Sequence, residues 1–462
     1  MTVALAQRSD ITLDTFRRVA WNEEAVAIEP DAAELIDRRR DEFEAFVADH
    51  PERRFYGVNV HAGDGSNQAL NADEQRDYAR GMQSGVSFGE PLPRRVVRGI
   101  VLARLSNLIE GHSAATSGLV QAVAQRLDGR SLPAVPRYGN GGSGEIAALG
   151  WLFGDMGAER PLQRKESMSL INGCPCAAAL VADATLCSEL LVACAERVFG
   201  LAAGAFGVSP AIYDRRLDAL WGDPHQAAAL RAIRANLEGA PAPDDEHPQP
   251  PVSFRILPRV LGNALRVLDD TRRVAEVALP AVSDNPVFLF DGDPVDVVST
   301  GGFHSGTAAP AIDALTFALA DLAQLAAHQL QRLQASRHAL PRFDSTNLGI
   351  LQMAAGGYAE EVRGACVPTL LPAGGWGQND VPSPAFTAWN RHDRVRGFVT
   401  GTLACLAAIA GQSFAQTDRP APTALTDLLA QVLESCPPIT ARRALGPDLA
   451  RLAGSLGAGV PD

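Results

Sequence analysis

Residues Ala177 to Phe199 read AAALVADATLCSELLVACAERVF, a proline-free run dominated by alanine, leucine and valine. Alanine and leucine favour the helix, and a run well beyond the usual three to four turns or so predicts a long buried one. Val96 to Gly111, Leu257 to Leu279, Thr307 to Leu333 and Arg394 to Gln416 repeat the pattern, with proline only at Pro258 and Pro310, near their starts. Ala32 to Ala48 is amphipathic instead, with Leu35, Ile36, Phe43, Phe46 and Val47 returning on one side. Strand signals are few and short: Ala25 to Glu29, Val287 to Phe290 and Val295 to Ser299. The expectation is a mainly α protein: a long-helix bundle core with a loop-rich N-terminal region. Residues 1–200 form the loop-rich part and 201–462 the bundle and C-terminal helices, within one continuous body. Asn236 to Pro251, rich in proline and acid, reads as a surface linker. Asn59 to Leu92, rich in Gly, Asn and Ser, reads as a loop region where binding residues tend to sit.

Composition bounds the chemistry. The 462 residues are 46% hydrophobic and 20% charged, with 53 acidic against 41 basic side chains and a net charge of −12. Such a chain is neither disordered nor collagen-like, and its charge argues against a dedicated nucleic-acid binder. Lys165 is the only lysine, so a lysine Schiff base has one candidate. Seven cysteines, an odd number, do not suggest a disulfide framework. The opening MTVALAQRSDITLD shows no signal-peptide pattern, and the apolar stretch Phe398 to Gly411 is shorter than the ~20 residues that cross a bilayer. A soluble cytoplasmic protein, without membrane partners, is expected.

Single motifs carry little. YGNGGSGEIAA, Tyr138 to Ala148, holds Gly139, Gly141 and Gly144 at dinucleotide-turn spacing, but prolines stand upstream where a strand should end. Cys174, Cys176 and Cys187 lack metal-site spacing and read as buried small hydrophobes, and no metal site is expected. Of nine histidines, His304 stands out because it lies in a glycine-rich turn, GGFHSG. The stronger signal is an ordered set of polar islands between apolar helices: YGVNVHAG, GEPLP, RLSNLIEGHS, GGSGE, LINGCP, SFRILPRVLG, VSDNP, GGFHSG and GQND.

In that order these islands resemble the histidine/phenylalanine/tyrosine ammonia-lyase family, the aromatic amino acid lyases, and the likeness runs along most of the chain. It implies the helical fold of the histidine ammonia-lyase type and a homotetramer with active sites shared between subunits. It also implies an electrophile made from backbone, 4-methylidene-imidazol-5-one (MIO), formed from an Ala-Ser-Gly triad. Here the triad is Gly142-Ser143-Gly144. No side-chain atom of the first residue enters the ring, although glycine there adds flexibility worth about 0.5–1 kcal/mol. By the same resemblance Tyr56 removes the β-proton and Arg255 holds the substrate carboxylate with its planar fork. Asn172 stands beside the prosthetic group, Gln378 lies in the late loop, and Phe303 is near the pocket. The implied ligand is a small amino-acid-like carboxylate.

The departures from the family are as specific. Val252 stands where the family has a tyrosine, Gly302 where it has asparagine, and Asn379 where it has a carboxylate. The acid after the triad is Glu145 rather than aspartate. The residues that set ring choice align near Gln83 and Ser84, and match neither the histidine nor the tyrosine lyases, so the substrate is expected to be a non-standard or other aromatic amino acid. Three readings stay open: a lyase or aminomutase that builds MIO, a MIO-less enzyme on the same scaffold performing another elimination, cyclisation or isomerisation, and an inactive binding homologue.

Overall fold

The computed structural model describes residues 2–71, 73–75, 84–129, 131–240, 249–291, 295–342, 344, 347–375 and 377–461. Seven helices position the site: α1 (Pro30–Asp49), α2 (Arg94–Leu108), α3 (Pro175–Phe206), α4 (Leu257–Ala278), α5 (Ala308–Ala335), α6 (Ile350–Ala365) and α7 (Ala385–Gln416). The stretch quoted first lies inside α3, a helix of 32 residues that starts on Pro175, whose fixed φ and missing N–H suit a first turn. α7 begins nine residues before the expected Arg394, because the charged surface residues of its first turns interrupt the apolar run while Trp389, Asn390 and His392 are buried. α6 was not anticipated; its glycine pair, Gly356 and Gly357, dilutes the apolar period.

Apolar side chains gather in two large clusters, and the long helices run through both. α3 contributes residues up to Leu186 to the first and from Leu191 onward to the second. α5 passes from Ala308, Ala309 and Ile312 in the first to Leu315 and beyond in the second, and α7 does the same from Ala385–Trp389 to Val395. α4 runs the other way, from Leu257 in the second cluster to Ala275 in the first. Three helix N-termini therefore meet at the first-cluster end, and the α4 N-terminus lies at the opposite end. Position 200 falls inside α3.

The helical stretch Glu166–Phe206, α5 and α7 are each long and apolar enough to cross a membrane, but their most apolar windows are 83%, 67% and 89% buried among other helices. Two small sheets flank the bundle. β1 (Thr2–Leu5) pairs in parallel with β2 (Ala25–Ile28), Thr2 facing Ala25, and β3 (Val287–Leu289) pairs antiparallel with β4 (Asp296–Val298). The three strand signals are matched to within a residue or two; β1, four residues long, is too short to register alone. The GxGxxG stretch is an irregular loop leading into a helix over Ile146–Phe153. The seven cysteines are free thiols. Of the linker, 241–248 lies outside the described residues.

Candidate active site

The loops that lead into α3, α5 and α7 converge because those helices point the same way. They bring Asn172, Phe303 and Asn379 to one place, where Ser143 joins them from the loop before the Ile146–Phe153 helix and Tyr56 from the N-terminal loop region. Together these line a cavity of about 460 Å³, with Met168, Ile171 and Asn285 in its wall. An adjoining cavity of about 620 Å³ is lined by Ser143, Phe303, His304, Leu370, Leu371 and Gln378. A third, of about 550 Å³, is bounded by Ser84, Asn140, Gly142, Ser143 and Asn379. Ser143 borders all three.

The triad is held by its surroundings. The amide of Ser383 donates to the Gly142 carbonyl oxygen at 2.8 Å, drawing electron density from the carbonyl carbon. The Ser143 hydroxyl donates to Asn379 Oδ1 at 3.0 Å. Gly144 has φ +94°, and a Cβ there would sit 3.3 Å from Asn172 Oδ1 and 3.8 Å from the Phe303 ring, so glycine is required. Around Gly142 the space is open and its φ is ordinary. Alanine would fit there, so the structure itself does not demand the glycine that departs from the family triad.

Asn172 is fixed from every side. Its Nδ2 donates to the Asn285 carbonyl at 2.6 Å, its Oδ1 accepts from the Gly173 amide at 2.8 Å, and its own carbonyl accepts from Arg104 Nη1. Arg104 is fully buried, and burial pushes its pKa down against the pull of Asp284. Asp284 also receives the single lysine: Lys165 Nζ donates to its Oδ2 at 2.7 Å, with both side chains sealed from solvent. The lysine is therefore part of the frame beneath the triad rather than a surface charge. Losing either partner would strand a buried charge, typically costing about 3–5 kcal/mol.

Glu145, next to the triad, has φ +58° and is 2% exposed. Its carboxylate accepts the amides of Cys176 at 2.6 Å and Ala177 at 2.8 Å, satisfying donors in the first turn of α3. Burial raises its pKa to about 7 in spite of those bonds and of Arg104. Glu166 is buried as well and accepts from Thr116 and Gln163.

The other sequence candidates are placed as follows. Tyr56 has its phenol oxygen accepting the Gly63 amide at 2.8 Å. The Gln378 amide donates to Asp64 Oδ1 at 3.0 Å, and its side chain donates to the Gly63 carbonyl. Ser84 donates to the Ile146 carbonyl at 3.0 Å. His304 lines the second cavity, its Nε2 3.2 Å from the Pro382 carbonyl. Gln83 lies outside the described residues. Arg255 is not with the others: it precedes α4, its Nε donates to the Pro250 carbonyl at 3.0 Å, and it lines a separate cavity of about 650 Å³ with Val252, His328 and Arg332. The α4 axis alone spans about 33 Å, at about 1.5 Å per residue over its 22 residues. Sequence reasoning missed Asp64, Glu145 as a helix cap, and Ser383; each acts through a partner distant in sequence, which no local pattern reveals. Among the described residues no cluster of His, Cys, Asp and Glu could hold a metal.

A bundle of parallel-pointing long helices whose N-termini surround a serine between two glycines defines the ammonia-lyase and aminomutase class. The chain belongs to the aromatic amino acid lyase family, whose model matches residues 11–161 and 155–436. It is therefore a lyase or an aminomutase, from a family known for the MIO group. The histidine ammonia-lyase of Symbiobacterium thermophilum is 29% identical over 483 aligned residues, covering 96% of this chain and 94% of its own. Two solved structures share the fold. The ergothioneine-degrading enzyme ergothionase from Treponema denticola, in complex with desmethyl-ergothioneine sulfonic acid, superposes with a TM-score of 0.89 at 19% identity over 99% of this chain and 98% of that one. Tyrosine aminomutase from Streptomyces globisporus gives 0.87 at 21% identity over 99% and 97%.

Proposed function

We propose that this chain removes or relocates the amine of a non-standard or aromatic amino acid, using an electrophile built from Gly142-Ser143-Gly144. The observation that carries the reading is the shared cavity of Tyr56, Ser143, Asn172 and Phe303, assembled from four distant segments. The triad suits MIO: the Gly142 carbonyl is polarised by Ser383, Gly144 sits where only glycine fits, and the Ser143 hydroxyl already has an acceptor. When formed, the group supplies an electrophile for the substrate amine.

The remaining roles belong to the chain's side chains. Tyr56 takes the β-proton as its phenolate, which the Gly63 amide stabilises by donating to the phenol oxygen before the proton arrives and neutralises it. Asn172, immobilised by Asn285, Gly173 and Arg104, keeps the wall beside Gly144 rigid. Gln378, Ser84 and Asn379 shape the substrate pocket, and Phe303 supplies its apolar face. Arg255 binds the substrate carboxylate from a neighbouring copy of the chain in a homotetramer, because within one chain an α4 length separates the two cavities. The enzyme works in the cytoplasm.

Intact-protein mass spectrometry tests the electrophile: a mass lower than the sequence mass by two waters is expected, and the full sequence mass would sink the MIO reading. Ammonia release across a panel of amino acids tests the reaction. A MIO-less enzyme on the same scaffold is the second reading. It is favoured by Val252, which is 57% exposed at the Arg255 cavity where the family carries a phenol. Turnover by protein of unmodified mass, abolished in Tyr56→Phe, would select it.

A further inference from the structure

The cavity at Ser143 has a charge requirement that its walls only partly explain. Three helices begin at this end of the bundle, and the positive ends of their dipoles favour negative charge. An amino acid brings a positive charge to the same place. Among the described residues that line the 460 Å³ cavity, one is acidic and none is an arginine or lysine: the acid is Asp64.

Asp64 is held in place from the facing loop. Its Oδ1 accepts the Gln378 amide at 3.0 Å, and the Gln378 side chain donates to the carbonyl of neighbouring Gly63. Gly377 adopts φ +59°, and a Cβ on it would overlap the Asp64 carboxylate, so the late loop gives up a side chain to let this carboxylate approach. Position 379 is an asparagine, engaged by the Ser143 hydroxyl, and offers no charge. The carboxylate of this site thus comes from the loop carrying Tyr56, and among the described residues its Oδ2 accepts no hydrogen bond.

We infer that Asp64 is a specificity-determining residue that binds the cationic amine of the substrate at the Ser143 cavity, while its Oδ1 clamps the Tyr56 loop to the Gln378 loop. The inference rests on the amino-acid reading above and names the substrate feature the site recognises: a positively charged nitrogen.

A binding experiment separates this role from a merely structural clamp. The probes are pairs with one carbon skeleton, with and without the amine: L-phenylalanine and 3-phenylpropanoate, L-histidine and 3-(imidazol-4-yl)propanoate, L-leucine and 4-methylpentanoate. Calorimetric titration of the wild-type enzyme is expected to favour the amino acid of at least one pair by about fivefold, the worth of a partly exposed ion pair. Asp64→Asn, which keeps an acceptor for the Gln378 amide, is expected to erase that preference and leave the amine-free acid bound as before; Asp64→Glu is expected to restore part of it. Equal weakening of both members would reduce Asp64 to a clamp and overturn the inference. So would an unchanged preference in Asp64→Asn, or no wild-type binding of any amino acid above its partner. Any pair whose amino acid releases ammonia is left out of the comparison, so the readout concerns binding alone, and a wild-type enzyme that binds as expected but neither loses two waters nor releases ammonia would instead remove the proposed reaction.

Discussion

The cavities at Ser143 and Arg255 sit at opposite ends of the same helices and are built on different principles. At Ser143, α3, α5 and α7 all begin, and the loop leading into α7 is locked to the Ser143 loop through Ser383 to Gly142 and Ser143 to Asn379, and to the Tyr56 loop through Gln378 to Asp64. At Arg255 only α4 begins, and its neighbours there are the far portions of α3 and α5, represented by Phe206, Leu325, His328 and Arg332. The first region supplies polar groups in fixed positions; the second supplies cations on an open wall. The direction of one helix thus decides which motif residues meet within a chain and which do not.

The strongest way to break that comparison is to disable each region in separate chains. Tyr56→Phe and Arg255→Ala are each expected to lower kcat/KM by about a hundredfold or more. Co-expressed, the two variants are expected to regain activity, since a mixed assembly contains sites with both side chains intact. Ammonia-release rates of the purified co-expressed protein check this, and no recovery would place both roles within one chain or remove one of them.

A second probe addresses the packing of the Ser143 region. Glu145 titrates at about 7 in the folded chain and near the ordinary glutamate value when unfolded. A raised carboxyl pKa means that the folded state holds the proton more tightly, so stability from this group is fully present below about pH 4.5 and is lost as pH rises through about 7. The wild type is therefore expected to gain about 1–3 kcal/mol over Glu145→Gln between pH 8 and pH 5, measured by urea unfolding at each pH. A pH-independent gap would show that the carboxyl stays charged against the α3 amides.

The smallest effect is expected at Gly142. Because a Cβ meets nothing there, Gly142→Ala should change stability by less than about 0.5 kcal/mol. By stiffening the backbone before Ser143 it should raise the fraction of protein lacking two waters, read by intact mass. An unchanged or lower fraction would show that the flexibility of glycine does not limit ring formation.

Much of this was legible along the chain. The alanine and leucine runs report helices because helix propensity and burial act on neighbours in sequence, and α4 and α5 end within two residues of expectation while α3 runs seven residues further. The order of the polar islands points to the family, and Tyr56, Ser143, Asn172 and Phe303 do share a cavity. The lone lysine could be noticed only as a scarcity; its burial against Asp284 depends on a residue 119 positions away.

What the sequence by itself determined is therefore local: which segments are helical, which islands are polar, and that a serine sits between glycines. What only the tertiary structure decided is who meets whom. That Asp64 reaches the loop of Gln378, that Glu145 caps a helix starting thirty residues later, and that Arg255 points into a different cavity all follow from helix direction and long-range packing. Those contacts are set by burying two apolar clusters at once, a requirement that acts on the whole chain and leaves no periodic mark in any one stretch of it.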